Sequence, residues 1–184
     1  MTMSQRDYSN LLFLYLDNLP KIPEHLLDNC YLRSQVGFND RTYSRFGITD
    51  ELKAWLTENI SHVQDRMGVQ VMETDVGPHC DFRHWGVNYI YTTGGPAVTN
   101  FLKLKDHDIC LGPNVRHSSS DTDSVEILLS LPIEPFRWHL INTHCLHSVK
   151  HISDIRQAVT VGLMGNDPFA QLKHMNPGDY AGMM

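Results

Sequence analysis

His79-Cys80-Asp81 places an imidazole and a carboxylate two residues apart, just after Gly77-Pro78. On extended chain, residues i and i+2 point to the same face. Both side chains can then reach one metal ion, while Cys80 points away and reads as a small buried residue. A third ligand has to come from a distant strand. His144, His147 and His151 lie close together in the right region. His147 is best placed, because a strand with an arginine on it comes soon after; His144 stands as an alternative in H-x-x-H, and His151 reads as a surface or pocket-rim residue. Two imidazole nitrogens and one carboxylate leave coordination positions open for small ligands.

That arginine is Arg156, nine residues after His147 and at the start of the run Arg156–Met164. With strand alternation, Arg156, Ala158, Thr160 and Gly162 share one face, and Gln157, Val159, Val161 and Leu163 share the other. The first face offers a cation, a hydroxyl and otherwise small residues, which suits the wall of a pocket for an anion. An inward arginine grips a carboxylate with two parallel hydrogen bonds. The second, largely apolar face suits a core.

These residues need rigid elements to hold them. Thr49 is a good helix N-cap, Asp50 and Glu51 suit the first turn, and Leu52, Trp55, Leu56, Ile60, Val63 and Met67 recur at spacings of three and four. The pattern predicts a helix over Asp50–Met67, ended by Gly68. After it the period becomes two, and strand-like runs appear at Val69–Val76, Gly86–Thr92, Ala97–Leu104, Val125–Leu131, Phe136–Thr143 and Arg156–Met164, separated by Gly- and Pro-rich turns. Leu11–Leu16 reads as a short strand or buried turn. The expected fold is mainly β, a sandwich or barrel, with an N-terminal helical layer packed on one sheet. The expected organisation is a single domain over 1–184: a mostly helical or irregular part over 1–67, a β core over 68–165 and an irregular tail over 166–184, loose or draped over the surface. Lys105–Ser124 reads as an inserted polar loop and a candidate lid carrying Arg116 and His117.

Composition narrows the function classes. The 184 residues carry a net charge of −6, with 41% hydrophobic and 20% charged residues. That fits a chain with a core and argues against a broad nucleic-acid footprint, which needs clustered Lys and Arg. No apolar run approaches the roughly 20 residues of a membrane-spanning helix. Leu11–Leu16 is cut by Asp17 and Pro20, so it does not read as a signal peptide. Four scattered cysteines without a C-x-x-C pair suggest free thiols and a cytoplasmic protein. Eleven histidines are many for this length.

The stretch from His147 to Val161 reads H-x-V-x6-R-x-A-x-T-V, with His79-x-Asp81 upstream. Together these resemble the Fe(II)/2-oxoglutarate-dependent oxygenases, near the prolyl hydroxylase and aspartyl/asparaginyl hydroxylase-like branches. The resemblance covers Val69 to about Met164 and is most specific at the C-terminal motif. It implies a double-stranded β-helix (jelly roll), with His79, Asp81 and His147 as ligands of Fe(II). It implies that Arg156 binds the far carboxylate of the cosubstrate 2-oxoglutarate, that Thr160 lines the same pocket, and that Asn88 contacts the cosubstrate, a role Tyr89 or Tyr91 would take under the opposite parity. It also implies O₂ activation, with succinate and CO₂ released and a C–H bond of an amino acid, peptide side chain or small metabolite hydroxylated. Arg83, Trp85 and Arg116 are the candidate substrate contacts.

Two rivals share the barrel. One is a cupin-type enzyme using another metal without 2-oxoglutarate, which has no need of an inward cation at Arg156. The other is a non-catalytic jelly-roll binding module, which has no need of the three ligands.

Overall fold

The computed structural model describes residues 8–39, 43–64, 66–105 and 125–175; side chains are described outside 33–43. The chain forms eleven strands and one α-helix among the described residues. They are β1 (Phe13–Tyr15), β2 (Tyr31–Asn39), β3 (Tyr43–Ile48), α1 (Asp50–Asn59), β4 (Met67–Met72), β5 (Val76–His79), β6 (Trp85–Thr93), β7 (Val98–Leu104), β8 (Val125–Pro132), β9 (Trp138–Asn142), β10 (Leu146–Lys150) and β11 (Arg156–Leu163). All pairings are antiparallel. A seven-stranded sheet runs β1-β9-β6-β11-β4-β3-β2, and a four-stranded sheet runs β5-β10-β7-β8.

The N-terminal third departs from its expected helical character. Strands β1, β2 and β3 extend the large sheet, and the helical part reduces to α1 and a single 3-10 turn at Glu24–Leu26. Thr49 caps α1 as expected, its hydroxyl accepting from the Leu52 amide at 3.4 Å. The helix stops at Asn59 instead of Met67. Ser61 pairs with Leu172, and Met67 begins β4 opposite Val161. Apolar residues at 63 and 67 satisfy a helix stripe and a strand alike, and the pairing of β4 with β3 and β11 decides between them. Gly68 lies inside β4, where a Cβ would sit 2.8 Å from the Phe46 carbonyl oxygen; close strand approach explains it, not a helix end. The expected run Val69–Val76 divides into β4 and β5, and β10 is an additional strand. Gly77-Pro78 lies within β5, at the edge of the small sheet, where a proline costs no ladder bond.

The main core is on the outer face of the large sheet. Leu52, Leu56 and Ile60 of α1, with Leu16, Leu19, Ile22 and Leu26, pack on Val69, Val87, Tyr89, Trp138, Leu140, Val159, Val161 and Leu163. Each fully buried Leu or Ile contributes about 1.5–3 kcal/mol. As far as it is described the tail is draped on the molecule, with Phe169 and Leu172 buried in this core. The inner face, toward the small sheet, carries Asn88, His139 and Arg156 beside Ile90 and Ala158. This division follows the alternation of β11, where Val159, Val161 and Leu163 face the core and Arg156 and Ala158 face inward.

Among the described residues no helix is long and apolar enough to cross a membrane. Cys30 and Cys80 are free, as expected. Cys145 is disulfide-bonded, which corrects the expectation of four free thiols.

Candidate functional site

His79 ends β5, Asp81 lies two residues further on, and His147 pairs directly with His79 from the neighbouring strand β10. The pairing sets the two imidazole centroids 4.3 Å apart. His79 Nε2 lies 3.7 Å from Asp81 Oδ1. One ligand atom from each of the three residues falls within 4.8 Å of the others, a spacing that one metal ion can bridge. The expected set therefore comes together.

The rings are aimed by the backbone. His79 Nδ1 lies 2.9 Å from the Gly77 carbonyl oxygen, and His147 Nδ1 lies 2.9 Å from that of Cys145. A carbonyl only accepts, so each Nδ1 donates to it, and Nε2 is the ring nitrogen turned toward a metal. Burial, and then the neighbouring His79, hold the His147 imidazole down at about 4. It is therefore neutral, the form that binds metal, at ordinary pH.

Asp81 is tied from behind. The Arg83 Nε donates to Asp81 Oδ2 at 2.8 Å, and Arg83 Nη1 donates to the Thr160 hydroxyl at 2.8 Å. Burial alone would raise the Asp81 carboxyl. Arg83, His147 and His79 outweigh it and hold the group at about 2. One carboxylate oxygen is thus committed to Arg83 and the other turns to the histidines. The Asp81 amide donates to the Thr143 carbonyl at 2.9 Å, and the Thr143 hydroxyl donates to the Arg83 carbonyl at 2.6 Å. The loop carrying Asp81 is fastened in this way to the turn before β10. Gly86 and Gly162 are cross-strand partners, and Cβ atoms there would lie 3.4 Å and 3.2 Å from Arg83 side-chain carbons. The two glycines make the space through which Arg83 passes.

The three ligands open onto a cavity between the sheets that Arg156 also lines. Arg156 is 6% exposed. Its Nη2 donates to the Thr99 hydroxyl at 3.3 Å, joining the two sheets. Among the described residues it has no carboxylate partner, and burial pulls the guanidinium down to about 10. A buried cation without a counter-ion is costly unless a ligand supplies one. Gly94 allows it this place: it has φ +75°, and a Cβ there would sit 2.7 Å from that of Arg156.

Asn88 lines the same cavity, with Oδ1 buried and without a hydrogen-bond partner among the described residues. Asn88 pairs with Thr160 on one side and His139 on the other, so the three form one inward row across the large sheet. Thr160 is committed to Arg83 and is not part of the cavity wall, contrary to its expected place. His139 has no partner pattern in the sequence and reads there as a solvated or core histidine. Burial, and then the charge of Arg156, hold it down at about 3, and it lines the cavity. The alternation of β9 signals it: Trp138 and Leu140 are core, so His139 and Ile141 must face the other way. The space is narrow, about 40 Å³, enough for one or a few waters.

The remaining candidates lie elsewhere. Arg83 supports Asp81 from the cavity wall. Trp85 is buried in the outer core, and its indole N–H donates to the Gly165 carbonyl at 3.1 Å, so it is not at the cavity. His144 meets His84 edge-on, with ring centroids 4.1 Å apart, and is not grouped with the other ligands. Tyr89 and Tyr91 belong to the outer core side. Between Gln157 and Ala158 the pairing skips Tyr91 of β6, so the alternation of β6 breaks there and Thr92 donates to Gln157, away from Asn88. Arg116, His117 and all but the first residue of the candidate lid Lys105–Ser124 lie outside the described residues.

No protein-family model matches the chain, and no curated protein matches it. Among solved structures it is similar to the X-ray structure of E. coli ycfD, with 15% identity and a TM-score of 0.45 over 82% of this chain and 49% of that one. The chain thus spans about half the length of that protein.

Proposed function

We propose that this protein is an Fe(II)- and 2-oxoglutarate-dependent oxygenase that hydroxylates a C–H bond of an amino acid, peptide side chain or small metabolite. The observation that carries the reading is one cavity shared by a two-histidine, one-carboxylate group and a buried arginine that has no counter-ion among the described residues. The first element suits a divalent metal with positions left open. The second suits the far carboxylate of a dicarboxylic acid.

The donor set fits the metal. His79 and His147 offer Nε2, and Asp81 offers the oxygen not held by Arg83. When bound, Fe(II) with 2-oxoglutarate and O₂ supplies the oxidising power, with succinate and CO₂ as co-products. The chain's own part is binding and positioning. Arg156 neutralises and orients the distal carboxylate, Thr99 steadies Arg156, and Asn88 and His139 offer further polar contacts. The Thr160–Arg83–Asp81 chain keeps the carboxylate ligand ionised and aimed. The apolar wall formed by Ile90, Ile133 and Val149 limits water. The cavity must widen to admit a molecule the size of 2-oxoglutarate.

The strand order agrees with this reading. From β4 to β11 the chain passes back and forth between a β9-β6-β11-β4 layer and a β5-β10-β7-β8 layer, which we read as a double-stranded β-helix. In that reading β1–β3 extend the larger sheet and α1 covers its outer face.

The test is anaerobic titration of the metal-free protein with Fe(II) and then 2-oxoglutarate. A weak visible charge-transfer band that needs both supports the proposal. Iron binding without any 2-oxoglutarate affinity would move the reading to a cupin-type metal enzyme. Binding of neither would leave a non-catalytic module.

A further inference from the structure

A second cavity, of about 670 Å³, lies on the other side of the large sheet from the histidines. That volume falls within the range of small-ligand pockets. Its floor is Gln157, whose side-chain amide donates to the Tyr31 hydroxyl at 3.3 Å and accepts from Thr92 at 3.2 Å. Tyr91 and Tyr31 supply aromatic surface, and Phe136, 44% exposed, adds more at the wall. Glu24 and Asp28 line the same wall, and among the described residues no lysine, arginine or histidine lines it. Neither carboxylate has an ion pair among the described residues, whereas Asp17 and Glu134 both hold Arg137.

Two lining residues adopt backbone conformations that L side chains rarely take: Asn29 at φ 53° and Phe136 at φ 58°. Asparagine accepts this readily, but for phenylalanine it is strained. Phe136 is held there by its amide, which donates to the Ile90 carbonyl at 2.8 Å. Phe136 meets the buried Tyr89 edge-on, with ring centroids 6.3 Å apart, and its exposed part lines the cavity together with the two carboxylates.

We propose that this cavity is a second binding site, for an ammonium or guanidinium group on a short apolar stem. The aromatic walls take the stem and the face of the cation, and Glu24 and Asp28 supply the opposite charge. Such a cation belongs to a lysine or arginine side chain on another polypeptide or to a free organic amine of that size. The site is independent of the metal reading, because no residue is shared between the two cavities.

The test is calorimetric titration of the full chain with N-acetyl-arginine methylamide, N-acetyl-lysine methylamide, neutral N-acetyl-norleucine methylamide and the peptide Ser-Gly-Arg-Gly-Ser. Saturable binding is expected for the cations and not for norleucine. The double variant Glu24→Gln/Asp28→Asn weakens it roughly tenfold or more, as loss of two attractive charges predicts. Phe136→Ala weakens it as well. The charge-matched control Glu51→Gln/Glu58→Gln, on the exposed side of α1, leaves it unchanged. A peptide that binds much more tightly than the blocked amino acid identifies a polypeptide source, and equal affinity identifies a free amine. The proposal is overturned if no cation binds saturably, if norleucine binds as well, or if the control variant loses as much affinity as the double variant.

Discussion

Replacing Arg156 by methionine sets stability against binding. The guanidinium is 6% exposed, has Thr99 as its neutral partner among the described residues, and is lowered by burial to about 10. Its folded value lies below the unfolded one, so the charged form is penalised in the native state at every pH below about 10. The penalty is relieved only as pH rises through that range. A depression of roughly two to three pKa steps, at about 1.4 kcal/mol each, corresponds to ~3 kcal/mol. The lost hydrogen bond to Thr99 returns about 1 kcal/mol. Arg156→Met should therefore be more stable than the wild type by about 2 kcal/mol, a rise of roughly 4–8 °C in Tm for a chain of this length. The same change should remove 2-oxoglutarate affinity by about a hundredfold, the worth of a desolvated charge-assisted pair at ~3 kcal/mol, while Fe(II) affinity stays within a few fold. Calorimetric melting with and without 2-oxoglutarate measures both effects. Melting of Arg156→Met at or below the wild-type temperature would refute the reasoning, because Arg156 would then be stabilising the fold on its own account.

Other perturbations separate the parts of the site. His147→Ala or Asp81→Ala should abolish measurable Fe(II) binding, whereas Arg83→Met, which removes only the support of Asp81, should weaken it by roughly 10–100-fold; metal titration followed by calorimetry distinguishes the two. Gly94→Ala, with φ +75° and a Cβ 2.7 Å from that of Arg156, should destabilise the chain by about 1–3 kcal/mol in urea unfolding and weaken 2-oxoglutarate binding more than metal binding. His139 and His147 are held at about 3 and about 4, below the ordinary histidine value. Between about pH 6.5 and 4 the unfolded chain accordingly takes up two protons that the native chain refuses, and stability falls as pH falls, with a slope approaching ~2.7 kcal/mol per pH unit from these two groups. His139→Phe should halve that slope in urea titrations of the metal-free protein.

Local pattern carried the site further than it carried the boundaries. The i, i+2 spacing of His79 and Asp81 and the parity of Arg156–Leu163 follow from strand geometry alone, and both reappear in three dimensions. The roles of Arg83 and Thr160 were hidden because their bond spans 77 positions, and nothing in either local segment announces the other. Trp85 stood near Asp81 in sequence but on a strand position whose side chain faces the outer core. The strands of the N-terminal third were masked by a neighbouring helix pattern, and the choice at Met67 belonged to its partners on β3 and β11.

By itself the sequence determined which residues share a face, where an N-cap starts a helix, and that the chain after Gly68 is built of short strands. These follow from the periods of two and 3.6 that backbone geometry imposes on any side chain. Tertiary structure alone decided that His147 stands opposite His79, that Arg156 is buried without a counter-ion among the described residues, and that Asn88 and His139 join it. Each of these depends on which strands become neighbours and in what register. Register is settled by burial across the whole sheet, a sum over residues far apart in the chain.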